Sequence, residues 1–155
     1  MTDYRIRLVD SSHIGDLIRI AEDTNLNRWT AAHYVDELKN SESIMLRLES
    51  EVNKTIGFIV GRIVPAVDSD LAVDADIYNI GVEPAFQRRG FGQMLFDGLA
   101  DICREKLVRS IWLEVRETNF PAIKFYERNG FHPVTVRNDF YSNPRENGVV
   151  MRCDL

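Results

Sequence analysis

Polar and apolar residues alternate along Tyr4–Val9, the period-two signature of a half-buried strand, and a first strand is expected there. Ile14, Leu17, Ile18 and Ala21 then recur at helical spacing behind Ser11-Ser12, which offers an N-cap. A second short helix is expected from Ala31 to Lys39, capped by Thr30, with Asn25–Trp29 as the loop between the two. Ile44–Glu49 and Thr55–Val64 read as strands of a hairpin around the polar turn Ser50–Lys54, and Pro65–Val73 as a loop. Asp76–Val82 is the next strand, and Pro84 bars its continuation into helix. From Gly90, the positions Leu95, Phe96, Leu99, Ile102, Cys103 and Leu107 form an apolar stripe of period 3.6 that should pack on the sheet.

Ser110–Arg116 alternates strictly, with Ile111, Leu113 and Val115 facing one way and Trp112, Glu114 and Arg116 the other. Asn119 is a good N-cap for a helix through Asn129, and Gly130 stands where a left-handed C-cap belongs. Phe131–Arg137 and Gly148–Cys153 close the chain as two strands around a Tyr/Asn/Pro-rich loop. The order βααβββαβαββ predicts a single α/β domain over residues 1–155, a mixed sheet with helices on both faces.

Composition narrows the possibilities. The chain of 155 residues, 45% hydrophobic and 28% charged, has the makeup of one globular domain, and no apolar run approaches the ~20 residues that span a bilayer. The start Met1-Thr2-Asp3-Tyr4-Arg5 lacks the basic-then-apolar order of a signal peptide, so a cytoplasmic protein is expected. A net charge of −5 disfavours nucleic acid and anionic membrane and favours a basic ligand. Cys103 and Cys153 lie far apart with no histidine at ligand spacing, which predicts small hydrophobes and neither metal nor redox chemistry.

The chemistry concentrates where the strand ending in Ile80-Gly81-Val82 meets Gln87-Arg88-Arg89-Gly90-Phe91-Gly92 and the helix that follows. Glycines bring bare amides close to an anion, and a helix N-terminus adds unsatisfied N–H groups and partial positive charge, so the turn reads as a phosphate seat or as an ordinary strand-to-helix turn. No Gly-Lys-Ser/Thr follows, which excludes a P-loop, and Leu95 stands where a dinucleotide fingerprint wants its third glycine. Gly81 inside a strand marks a bulge or a close backbone approach.

The element order, the strand–QRRGFG–helix unit, the LEVR strand and the Asn119-x-x-Ala122…FYERNGF helix together resemble the GNAT superfamily of acetyl-CoA-dependent N-acetyltransferases. YNIGVEPAFQRRGFG, IWLEVRETNFPAIKFYERNGF and the late RNDFY segment are most similar to the RimI-type enzymes, which acetylate the N-terminal alanine of a small-subunit ribosomal protein. The loop Ser142–Gly148 departs from the more acidic sequence such enzymes carry there.

The resemblance implies a GNAT fold with about seven mostly antiparallel strands and acetyl-CoA as cosubstrate, with no metal. It puts the pyrophosphate on the backbone amides of Gln87, Arg88, Arg89, Gly90, Phe91 and Gly92, and the pantetheine and thioester along Ile80, Gly81 and Val82, with Asn119 reaching the pantetheine. Arg88 and Arg89 add charge there or stay solvated. It implies Glu114 as the base that takes the amine proton and Tyr126 as the acid for the departing thiolate, with Trp29, Tyr141 and the Pro65–Val73 loop flanking the amine entrance. The implied partner is a protein or peptide N-terminus, such as a basic ribosomal protein, acetylated by direct attack in a ternary complex, in a monomer or homodimer. A small amine or antibiotic as acceptor and a non-catalytic acyl-CoA sensor are the competing readings.

Overall fold

The structure, a computed structural model, describes residues 3–24, 26 and 29–155; most of the loop expected at Asn25–Trp29 therefore lies outside the described residues. Seven strands form one sheet: β1 (Arg5–Leu8), β2 (Ser43–Glu49), β3 (Thr55–Pro65), β4 (Val73–Val82), β5 (Ser110–Arg116), β6 (His132–Ser142) and β7 (Arg145–Asp154). Their spatial order is β1-β2-β3-β4-β5-β7-β6. Every neighbouring pair is antiparallel except β4–β5, which is parallel and joined through a helical crossover. Among the described residues four α-helices complete the fold: α1 (Ile14–Asp23), α2 (Ala31–Lys39), α3 (Phe91–Glu105) and α4 (Phe120–Arg128). The sequence of strands and α-helices follows the expected one, with 3-10 turns added at Ser11–His13 and Pro84–Phe86.

Strand alternation divides the interior into two cores. Ile44, Leu46 and Leu48 of β2 and Ile59 of β3 join Leu95, Phe96, Leu99 and Cys103 of α3 on one face. Met45, Phe58 and Val60 point the other way, onto Leu17, Ile20 and Ala21 of α1 and Tyr34 of α2. Each fully buried aliphatic side chain contributes roughly 1.5–3 kcal/mol relative to exposure, so the two stripes hold the helices in place. Burial pushes the Cys103 thiol up to about 11 and raises that of Cys153, so both act as small apolar fillers.

Local chemistry explains where the elements begin. Asp10, rather than Ser11 or Ser12, caps the first helical segment: its carboxylate accepts from the Ser12 N–H, and the His13 Nδ1 accepts from the Asp10 N–H. Thr30 caps α2 as expected, and His33 closes the same reciprocal arrangement by accepting the Thr30 N–H at 2.9 Å. Glu37, buried under α2, accepts from Arg62 of β3 at 2.7 and 3.0 Å and from the Ser43 hydroxyl, which fixes that helix over the sheet. Gly130 adopts the left-handed conformation (φ 89°) that its C-cap position requires.

The closing hairpin is longer than its apolar residues suggest. β6 continues through the polar Asn138–Ser142 stretch because it is an exposed edge strand, where no buried face demands alternation. Of the two readings of Gly81, a bulge or a close approach, the second holds: the bulge of β4 sits at Tyr78, the extra residue between the pairs Gly61↔Ile77 and Val60↔Asn79. Gly81 pairs regularly with Phe58, and its role is close approach: a Cβ there would lie 2.9 Å from the Leu26 side chain and 3.3 Å from the Thr24 hydroxyl.

Candidate active site

The parallel strands β4 and β5 pair at only two positions, Ala75↔Ile111 and Asp76↔Trp112, and then part. Beyond that point the β5-facing amides and carbonyls of Ile77–Val82 have no neighbouring strand, and among the described residues only the Val82 carbonyl of this row is taken by a side chain, that of Gln87. The gap is a cleft of about 670 Å³, walled by Ile77–Val82 on one side and Leu113–Arg116 on the other. Its far end is formed by the glycine turn, with the Phe125 ring beside Gly92, and Asn119, Ala122 and Tyr126 of α4 and its cap also line it.

At that far end α3 starts without a side-chain cap, its N-cap Gly90 in the left-handed region (φ 83°) and Arg88 likewise at φ 62°. The first intrahelical bond runs from Met94 N–H to the Gly90 carbonyl, so the N–H groups of Phe91, Gly92 and Gln93 have no partner within the helix. A 15-residue helix thus presents its bare positive end to the cleft, the electrostatics an anionic group needs.

The predicted residues fall into place unevenly. Ile80, Gly81, Val82, Gln87, Arg88, Gly90, Phe91, Gly92 and Asn119 all line the cleft. Gln87 contributes a side chain rather than an amide: its N–H is engaged by the Pro84 carbonyl at 3.3 Å, and its Nε2 donates to the Val82 carbonyl at 2.9 Å, tying the turn to the end of β4. Arg89 lies elsewhere. Its guanidinium sits 5.1–5.7 Å from the ring centres of Phe91, Tyr4 and Phe86 and donates to the Tyr4 hydroxyl at 3.3 Å, so it braces β1 against the turn. Asn119 caps α4 by accepting the Ala122 N–H at 3.3 Å.

Glu114 stands where two cavities meet. A second hollow of about 450 Å³ is lined by Val64, Pro65, Val67, Asp74, Asp76, Trp112 and Phe140, and it shares Ile77, Tyr78, Leu113, Glu114 and Tyr141 with the first. The Glu114 Oε1 accepts from Arg137 Nη1 at 2.6 Å, while its Oε2 is buried with no hydrogen-bond partner among the described residues. Tyr141 carries the Arg116 guanidinium 4.3 Å above its ring. Burial, and then the charge of Glu114, pushes its phenol up to about 12. Tyr126 is buried against Phe125 and Phe131, and desolvation raises its phenol above the ordinary tyrosine value, so its hydroxyl remains a donor at neutral pH.

The second hollow is acidic. Asp74 is matched by Arg109 and the Trp112 indole N–H, all within 3.2 Å, but Asp76 has no ion pair among the described residues. Burial, then Asp74 and Glu114, raise the Asp76 carboxyl. Trp29 lines neither cavity; it packs on Tyr34 and Tyr78, and reaches the entrance only through Tyr78. Sequence reasoning missed Tyr78, Asn79, Asp76 and Arg137. A polar Asn79 inside the run Ile77–Val82 was a readable signal, whereas the Arg137 contact depends on β7 and β6 lying beyond β5.

Comparison with known proteins bears on this arrangement directly. Residues 14–131 match the Acetyltransferase (GNAT) family. The chain is 34% identical to the [ribosomal protein bS18]-alanine N-acetyltransferase of Haemophilus influenzae over 97% of its length and 98% of the relative's. Among solved structures it is similar to the ribosomal-protein-S18-alanine N-acetyltransferase of Escherichia coli, at 25% identity and a TM-score of 0.84, covering 98% of this chain and 94% of that one. The Arabidopsis thaliana NAA60 complex with acetyl-CoA shares the fold with a TM-score of 0.88 at 18% identity, each chain covered to 99%.

Proposed function

Because the chain belongs to the GNAT acetyltransferase family, and is an acyltransferase by that membership, we propose that it transfers an acetyl group from acetyl-CoA to the α-amine of a protein N-terminus. The observation that carries this reading is the junction at Glu114, where a long cleft with a cationic end opens into a shorter acidic one. The long cleft matches an elongated cofactor with a diphosphate at one end. NAA60 is bound to acetyl-CoA in the same fold, and the Haemophilus relative is named as an N-acetyltransferase for an alanine of ribosomal protein bS18. A basic ribosomal protein terminus suits a chain of net charge −5 with Asp76 in the acceptor hollow. A ribosomal protein as acceptor would put the reaction in the cytoplasm; among the described residues no helix is long and apolar enough to cross a membrane.

The chemistry follows from the groups present. The pyrophosphate rests on the open N–H groups of Phe91, Gly92 and Gln93 with Arg88 beside them, and the pantetheine arm fills the vacant strand position next to Ile80–Val82. An amine entering through the acidic hollow loses its proton to the Glu114 Oε2, the oxygen that Arg137 leaves free. Its nitrogen attacks the thioester carbonyl, and a β4 main-chain N–H stabilises the oxyanion. That attack forms the C–N bond; collapse restores C=O and breaks C–S, the surplus proton on nitrogen passes to water, and the thiolate leaves hydrogen-bonded to the Tyr126 hydroxyl and takes its proton from solvent. Neither buried cysteine lies in the cleft lining, which favours direct attack over an acetyl-enzyme.

Incubation with acetyl-CoA and a panel of amines tests the reading. Peptides with a free N-terminal alanine and a basic second residue should be acetylated on the α-nitrogen, and their Nα-blocked counterparts should not react. Turnover confined to polyamines or aminoglycosides would replace the peptide reading with the small-amine one.

A further inference from the structure

Asn79 is the one polar side chain of β4 inside the cleft whose burial has no explanation in the fold. It is 3% exposed, lines the cleft, and its Nδ2 meets no acceptor among the described residues. A buried, unsatisfied amide donor is costly, and native structures retain few of them. Its direction follows from the strand. Tyr78 is the bulged residue, and Gly81, two positions beyond Asn79, faces Ile20, Thr24 and Leu26; Ile80 and Val82 face the α3 core instead. Asn79 therefore projects on the α1 side of the sheet, the side of Tyr78, whose ring packs on Trp29. The glycine turn and α3 lie on the opposite face. Tyr78 and Glu114 line both cavities and Asn79 lines the long cleft, so an acceptor that passes Tyr78 and reaches the thioester enters the part of the molecule that Asn79 lines.

We infer that Asn79 is a specificity-determining residue whose Nδ2–H donates to the carbonyl oxygen of the acceptor's first residue. This inference rests on the reading of the cleft as a site of acetyl transfer to a peptide, and it narrows that reading. A peptide N-terminus carries a carbonyl two bonds from its amine nitrogen, through Cα. A polyamine or alkylamine carries none there, and would leave the donor unpaired. The residue thus discriminates peptidyl from simple amines by one hydrogen bond, while Glu114 serves any amine.

The test compares an alanine-initiated peptide with the same sequence in which an alkene replaces the first peptide bond. The parent is expected to prefer the peptide by about tenfold in kcat/KM, the size of one hydrogen bond to a buried partner. Asn79→Leu should abolish that preference and raise KM for the peptide, with KM for acetyl-CoA unchanged and the melting temperature not lowered, because leucine removes an unpaired donor. Asn79→Asp, which keeps the shape and loses the donor, should also abolish the preference, and it stands in if the leucine variant folds poorly. A preference retained in both variants, or an effect confined to KM for acetyl-CoA, overturns the inference while leaving the acetyltransferase reading intact. A parent inactive on every peptide overturns the peptide reading first, and this inference with it.

Discussion

Glu114→Gln should lower kcat by about 10²–10⁴-fold, the range that a positioned general base contributes, with little change in KM for acetyl-CoA. The carboxylate is the group at the cavity junction with a free, buried acceptor oxygen, and glutamine retains its shape while losing its basicity. The fold should tolerate the change. The ion pair it removes joins a Glu114 side chain 25% exposed to an Arg137 side chain 56% exposed, and pairs open to water contribute about 0–1 kcal/mol. Raising the pH should recover part of the loss, because solvent then supplies the amine already deprotonated. Steady-state kinetics and a thermal melt of the same preparation separate the two effects. Parental kcat in a folded Glu114→Gln variant would remove the base from the mechanism.

Tyr126→Phe should lower kcat by about 10²-fold, at the low end of acid catalysis, with peptide and acetyl-CoA KM values near those of the parent. The lower end is expected because of burial. Desolvation lifts this phenol above its ordinary pKa of ~10, so full proton loss to a thiolate of pKa ~8.5 is uphill. The hydroxyl therefore acts mainly as a hydrogen-bond donor to sulfur as charge develops, and solvent completes the protonation. Two consequences for pH follow. In the parent, kcat/KM should rise with pH up to the acceptor amine's pKa, ~7.7–8.0, and then level off, with no alkaline fall from Tyr126 through pH ~10. The Tyr126→Phe profile should keep that shape at lower amplitude. An alkaline limb present in the parent and absent from the variant would show that Tyr126 ionises in the working range and must be reassigned.

The fold was legible wherever local pattern decides structure. β5 begins and ends at the residues that the alternation of Ser110–Arg116 indicates, and Thr30 and Asn119 by their side chains, and Gly130 by its left-handed backbone, mark the helix ends expected of them. The glycine turn, too, was visible as a break followed by an amphipathic stripe. What the sequence hid was pairing across the sheet. That β4 splays from β5 to leave room for the pantetheine beside Ile80–Val82 was implied by the family resemblance and by no local pattern, and that a bulge sits at Tyr78 depends on partners far along the chain. Arg89 shows the same limit. Its motif suggests an anion, but its ring partner Tyr4 lies 85 residues away, and stacking there wins over the cleft. Arg137 is an exposed arginine in an edge strand by local reading, and becomes a partner of Glu114 only through the order β5-β7-β6.

Calorimetric titration of the protein with CoA probes the premise beneath all of these steps, that the gap between β4 and β5 and the open start of α3 form one coenzyme seat. A saturable heat with one site per chain, weakened at high salt because the diphosphate is held partly by charge, is the predicted result. No saturable binding at millimolar CoA, from a sample whose melting curve shows it folded, would contradict the account.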